Sequence, residues 1–193
     1  MEPLFRYDFN SPYAYLAAER IDGVIPGATW EPVAFAFLLV AQARVPWSMH
    51  SEGSHAAGVR ECEARAVERG LPPMRWPEGW PRDSYSLDPL RVAVYAKEQG
   101  ALKEYSLAAF RRLFVDGVGL GGGEAFAVAE RVGLDPDAAR AAAGKQGTAG
   151  AKLKAVTDEA IADKVPGVPT VTVGNAHFWG DDRLEDAARA AGS

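Results

Sequence analysis

The sequence is poor in cysteine and histidine. Its one cysteine, Cys62, cannot close an internal disulfide, and no Cys-x-x-Cys pair exists. A dithiol redox cycle within the chain is therefore excluded. The three histidines, His50, His55 and His177, have no metal-ligand spacing with acids or thiols, so no metal centre is expected. No GxSxG elbow is present to expose a serine nucleophile. The Gly-rich GVGLGGGEAF, residues 117–126, lacks the Lys-Ser/Thr of a phosphate loop and reads as a connection between helices. No apolar run is long enough to span a membrane, and no basic segment leads into an apolar one at the N-terminus. The expectation is a cytoplasmic protein with no membrane partner. A net charge of −5 also disfavours nucleic acid as a partner, because phosphate binding wants a basic face.

What is present is a chain of 193 residues, 48% hydrophobic, enough for one sizeable core or a core with an insertion. Leu4, Phe5, Tyr7 and Phe9 mark a short aromatic strand. Asn10-Ser11-Pro12 follows, and AYLAAERI reads as a helix stopping near Gly23. ATWEPVAF reads as a second strand, and the continuously apolar VAFAFLLVAQA can end that strand or begin a helix. SEGSHAAGVRECEARAVERG is a helix closed by Gly70, with Cys62 on it as a free thiol without a role. A long Pro- and Trp-rich loop comes next, LPPMRWPEGWPRDSYSLDP, expected to pack over a pocket. Five more helical stretches follow, four of them closed by Gly. The period then changes: Val171-Thr172-Val173, a Gly174-Asn175 turn and His177-Phe178-Trp179 form a hairpin ahead of a last helix. The class is α/β. Residues 1–40 and 155–193 supply β-α-β and β-β-α halves of one sheet domain, and 41–154 form an all-helical insertion.

Three stretches carry candidate chemistry. Ser11 falls at the N-cap before Pro12, where free N–H groups favour negative charge. Disulfide oxidoreductases place their attacking thiolate at such a spot. Here the four residues are Ser11-Pro12-Tyr13-Ala14, so Ser11 is either a cap alone or a hydrogen-bond partner for a thiolate supplied from outside. Gly167-Val168-Pro169-Thr170 puts a proline at strand entry. A cis bond there would turn the Val168 backbone outward, where an extended peptide can pair with it. Trp179-Gly180-Asp181-Asp182-Arg183 opens the last helix. Its acids are either caps or the ammonium side of a site for an α-amino acid head group.

Together, in this order, the three stretches resemble the 2-hydroxychromene-2-carboxylate isomerases and kappa-class glutathione transferases of the DsbA-like thioredoxin superfamily. The resemblance covers nearly the whole chain and implies a thioredoxin-like fold with a large helical insertion. It implies a glutathione-dependent isomerase acting on an aromatic or unsaturated electrophile. The alternatives are a kappa-like transferase and a non-catalytic DsbA-like thiol- or peptide-binding protein. The implied cofactor is glutathione or another low-molecular-weight thiol, and the implied assembly is a homodimer. Ser11 matches the catalytic serine that hydrogen-bonds the glutathione sulfur. Val168, before Pro169, matches the residue whose backbone pairs with the glutathione cysteine. Trp179, Gly180, Asp181 and Asp182 match those holding the γ-glutamyl end. The chain departs from the isomerases in the LLG-x-x-FK-x-x-GN stretch, whose Lys and Asn fall on Val40 and Arg44. It departs again at the FPxN loop, here Trp80-Pro81-Arg82-Asp83. Arg44, as a cation for a substrate carboxylate, and Tyr85, as a substrate-side hydroxyl, are the candidate substrate contacts.

Overall fold

A computed structural model describes residues 2–192. Its centre is β1 (Leu4–Tyr7), whose three last residues are buried. β1 pairs in parallel with β2 (Thr29–Pro32), in register Leu4↔Thr29 to Tyr7↔Pro32. On its other side β1 runs antiparallel to β3 (Thr170–Val173), with Leu4 opposite Thr172 and Arg6 opposite Thr170. β3 turns at Gly174-Asn175 into β4 (Ala176–Trp179), giving the order β2-β1-β3-β4. The two ends of the chain thus build one sheet, as the β-α-β and β-β-α readings require.

The first helical stretch is two pieces, α1 (Pro12–Ala18) and α2 (Ile21–Val24). The break comes where Arg20 N–H bonds Ala17 O and Gly23 N–H bonds Arg20 O, three-residue steps that tighten the turn. The ambiguous apolar run resolves as α3 (Phe35–Ala41). α4 (Glu52–Glu68) begins at Ser51, whose hydroxyl accepts the Ser54 N–H at 3.1 Å. α5 (Asp88–Glu98), α6 (Leu102–Phe114), α7 (Glu124–Arg131), α8 (Pro136–Ala143) and α9 (Ala149–Ala162) follow. α9 runs unbroken through residue 155 and packs on α3, α5 and β2. A 3₁₀ turn at Asp181–Arg183 leads into α10 (Leu184–Ala191). Among the described residues no helix is long and apolar enough to cross a membrane.

The core is aromatic where the sheet meets α6. Phe110 lies 5.0 Å from the Phe9 ring, 5.7 Å from Tyr7 and 6.3 Å from Tyr15. Within it the Tyr7 hydroxyl and Ser106 Oγ share a 2.6 Å hydrogen bond. This contact fixes the strand that leads into Ser11 against the helical block. Replacing Phe110 by Ala removes a fully buried ring that touches three others. It is expected to lower unfolding free energy by about 3–5 kcal/mol in urea titrations.

Candidate active site

Ser11 is 7% exposed and caps α1: its Oγ accepts the Ala14 N–H at 3.2 Å. The same hydroxyl points its proton at Val168 O, 3.5 Å away, a long bond that a better acceptor can replace. The Val168–Pro169 peptide is cis. Val168 N–H has no backbone partner among the described residues, while Pro169 O accepts the Gly180 N–H at 3.0 Å. The first and second sequence motifs therefore face each other, and the third is laced to the second.

These residues line a cleft of about 580 Å³. One wall is aromatic. Tyr13 meets Trp47 edge-on at 6.0 Å, and Trp47 lies 5.7 Å from Trp80. Trp80 is braced behind by Trp76 at 4.6 Å, so the Trp-rich loop does pack over the pocket. The opposite wall is Trp179, 46% exposed, with the Arg44 guanidinium 4.9 Å above its ring. Gly167 passes so close beneath that a Cβ there would sit 2.9 Å from Trp179 Nε1. Gly180 has φ +119°, and a Cβ on it would collide with the Asp182 carboxylate. Both glycines shape the end of the cleft.

The two neighbouring acids part company. Asp181 is fully buried and paired with Arg65 at 2.7 Å and with Arg69. Burial raises its carboxyl above the usual range, against the pull of Arg69 and Arg65. Asp181 lines the cleft, with its carboxylate already held by α4 through these two arginines. Asp182, with a side chain 56% exposed, has Arg65 as its ion-pair partner among the described residues, at 3.6 Å. Arg65 also holds Glu61 at 2.6 Å and lies 5.4 Å over the Tyr13 ring. The sequence reading did not single out Arg65 and Glu61, although the Glu61, Arg65, Arg69 spacing of four places them on one helix face.

Of the two substrate candidates, the structure brings one into the cleft. Arg44 lines it, but its Nη1 donates to Pro166 O at 2.5 Å and to Gln42 Oε1 at 2.9 Å. Gln42 in turn donates to Val165 O at 2.8 Å. Arg44 therefore clamps the Val168 loop as well as facing the cleft. Tyr85 lies outside the cleft lining, with its hydroxyl buried and, among the described residues, no hydrogen-bond partner within reach. Burial first, and the charge of Asp8 second, raise its ionisation well above the ordinary tyrosine range. It is not a substrate-side hydroxyl. Among the described residues no group of His, Cys, Asp and Glu is placed to hold a metal ion.

A family model for the DSBA-like thioredoxin domain matches residues 4–191. A solved 2-hydroxychromene-2-carboxylate isomerase superposes with a TM-score of 0.86 at 23% identity, over 100% of this chain and 95% of its own. A probable DsbA oxidoreductase from Streptomyces coelicolor superposes with a TM-score of 0.76 at 23% identity, over 99% of this chain and 88% of its own. No curated protein matches the chain.

Cys62 is fully buried on α4, and burial pushes its thiol up to about 12. Raised that far, it stays protonated through neutral pH. Native protein is expected to give negligible reaction with a disulfide reagent at pH 8, and one thiol per chain after unfolding in guanidinium.

Proposed function

The chain belongs to the DSBA-like thioredoxin domain family, and from that premise we propose that it is a glutathione-dependent isomerase of the 2-hydroxychromene-2-carboxylate isomerase type. The observation that carries this reading is the facing pair of Ser11 Oγ and the Val168 backbone, in a chain whose only thiol is buried elsewhere. A family member without a cysteine at this position has no oxidoreductase cycle of its own. What it retains is a place for a thiol brought by another molecule.

The residues fit such a thiol at three points. Ser11 has a hydroxyl proton held only by a long bond to Val168 O. Val168 offers a free N–H and a carbonyl to an extended peptide. Asp182 keeps an exposed carboxylate, and with Glu61 beside Arg65 the cleft end stays favourable to an ammonium. When bound, the thiolate would supply reversible addition to an electrophilic double bond, forming and then breaking one C–S bond without net consumption of thiol.

The chain's own contribution is binding, orientation and charge placement. Ser11 turns its proton from Val168 O towards the sulfur and favours the ionised thiol. The Val168 backbone fixes the thiol's peptide so that the sulfur stays at Ser11. Tyr13, Trp47, Trp80 and Trp179 form a largely apolar, aromatic space suited to an unsaturated ring system. Arg44 keeps guanidinium protons in that space that can face a substrate carboxylate.

Incubation of the protein with 2-hydroxychromene-2-carboxylate and glutathione is expected to change the substrate spectrum while total glutathione stays constant. Stoichiometric loss of glutathione would mark a transferase instead. Ser11→Ala removes the donor to the sulfur and is expected to lower kcat about 10²–10³-fold; an unchanged rate overturns the role given to Ser11. In calorimetric titrations Asp182→Ala is expected to weaken glutathione binding about tenfold or more.

A further inference from the structure

Asp8 takes no part in the chemistry above, yet it sits beneath the cleft. It is 1% exposed, and among the described residues no cation pairs with it. Its Oδ1 accepts the Asn10 N–H at 2.9 Å and its Oδ2 accepts the Phe35 N–H at 2.8 Å. The two amides belong to different walls. Asn10 precedes Ser11, and Ser11 N–H itself donates to Asp8 O at 3.2 Å. Phe35 is the first residue of α3 and lines the cleft with Leu39.

Asn10 carries the connection to a third wall. Its carbonyl accepts the Trp80 indole N–H at 3.3 Å. Its side-chain amide donates to Pro81 O at 3.0 Å and accepts from the Ser84 hydroxyl at 3.3 Å. One carboxylate therefore sits at the root of the Ser11 turn, the α3 wall and the Trp80 loop.

We propose that Asp8 is a positioning residue of the cleft: its ionised carboxylate, shared between the Asn10 and Phe35 amides, holds these three walls in one geometry, and the cleft loosens when Asp8 takes a proton. The physical reason is a donor count. An ionised carboxylate accepts strongly at both oxygens, whereas protonation makes one of them a weaker acceptor and adds an O–H donor. In a buried place that proton needs an acceptor of its own, so the hold on one amide slackens. The titratable groups whose ionisation feels the Asp8 charge are Tyr7, the last residue of β1 just before it, and Tyr85 on the loop, both kept neutral by burial.

Burial raises Asp8 to about 6, with the Asn10 and Phe35 amides pulling the other way. The holding form therefore exists above about pH 6 and is lost as pH falls through it. Global stability runs in the opposite sense, because the folded chain binds this proton more tightly than the unfolded one. Asp8 protonation thus loosens the cleft without unfolding the protein.

The link to thiol binding rests on the function proposed above; the effect on the three walls does not. The test is a pH series from 8 to 5 on wild type and Asp8→Asn, followed by amide and indole NMR. In wild type the Asn10, Ser11 and Phe35 amides and the Trp80 indole are expected to move with one midpoint near 6. In Asp8→Asn that midpoint is expected to vanish. Calorimetry with S-methylglutathione, which has no thiol to ionise, is expected to show affinity falling about tenfold from pH 7.5 to 5 in wild type, since one unit below its midpoint about a tenth of a carboxyl is ionised. In Asp8→Asn binding is expected to be weak and flat. Histidines titrate in the same window. His50 lines the cleft and His55 lies 5.4 Å from the Trp80 ring, so the series is repeated in His50→Gln and His55→Gln, where the wild-type slope is expected to persist. The proposal is overturned if the Asn10 and Phe35 amides titrate while Ser11, Trp80 and ligand affinity stay flat, or if the midpoint survives in Asp8→Asn. Failure of S-methylglutathione to bind at any pH overturns the glutathione reading alone. The wild-type NMR titration still decides the role of Asp8, even if Asp8→Asn does not fold.

Discussion

The pairing of β1 with β3 is the constraint on which the rest of the molecule depends. It sets Leu4 opposite Thr172 and Arg6 opposite Thr170, across almost the full length of the chain. Ser11 lies just beyond the end of β1 and Val168 just before the start of β3, so the antiparallel register carries the two to the same end of the central strand pair. Closing so long a loop has an entropic cost that grows only slowly with length. The aromatic packing of Phe9, Tyr7 and Tyr15 on Phe110 offsets it and ties the inserted helices to the same strand. The site is thus made where the two ends of the chain meet, and the helical block supplies its walls.

Charge placement at the site follows burial more than composition. Three acids, Glu61, Asp181 and Asp182, gather around Arg65, with Arg69 behind. Asp181 is withdrawn into the protein and balanced by both arginines, which fixes the Asp181–Arg183 turn on α4. Removing one arginine would leave a buried charge short of a partner, the costly way to break such a pair. Asp182 remains at the surface, where a ligand's ammonium can reach it. Asp8 is the contrasting case, a buried carboxylate balanced by amide donors alone, and for that reason its charge state is sensitive to pH near neutrality.

Replacing a nucleophilic thiol by a hydroxyl at the start of α1 changes what the thioredoxin-like frame can do. The frame still presents a capped turn against the backbone before a cis proline. With Ser11 in place of a cysteine the turn offers a hydrogen-bond donor and no attacking thiol of its own. Trp47 and Trp80 supply the aromatic wall of the cleft, and Arg44 and Gln42 clamp residues 165–166 beside it.

Much of this was legible in the residues themselves. Alternation and β-branching at both ends marked the strands, and glycines marked the helix ends, because these signals act within a few residues. The absence of a second cysteine and the Ser11-Pro12 cap bounded the chemistry for the same local reason. Asp181 and Asp182 read alike as a pair of helix-cap acids, and Tyr85 read as a hydroxyl near the substrate. Only the tertiary structure separated them. Successive residues of a 3₁₀ turn point about 120° apart, so one aspartate faces Arg65 and Arg69 while its neighbour faces solvent. Asp8 gave no signal either, since its neighbours in sequence say nothing of the Phe35 amide that meets its second oxygen. Local sequence determines which groups are present and how the chain turns around them. Which of those groups is buried, paired or left free is decided by contacts between segments far apart in the chain.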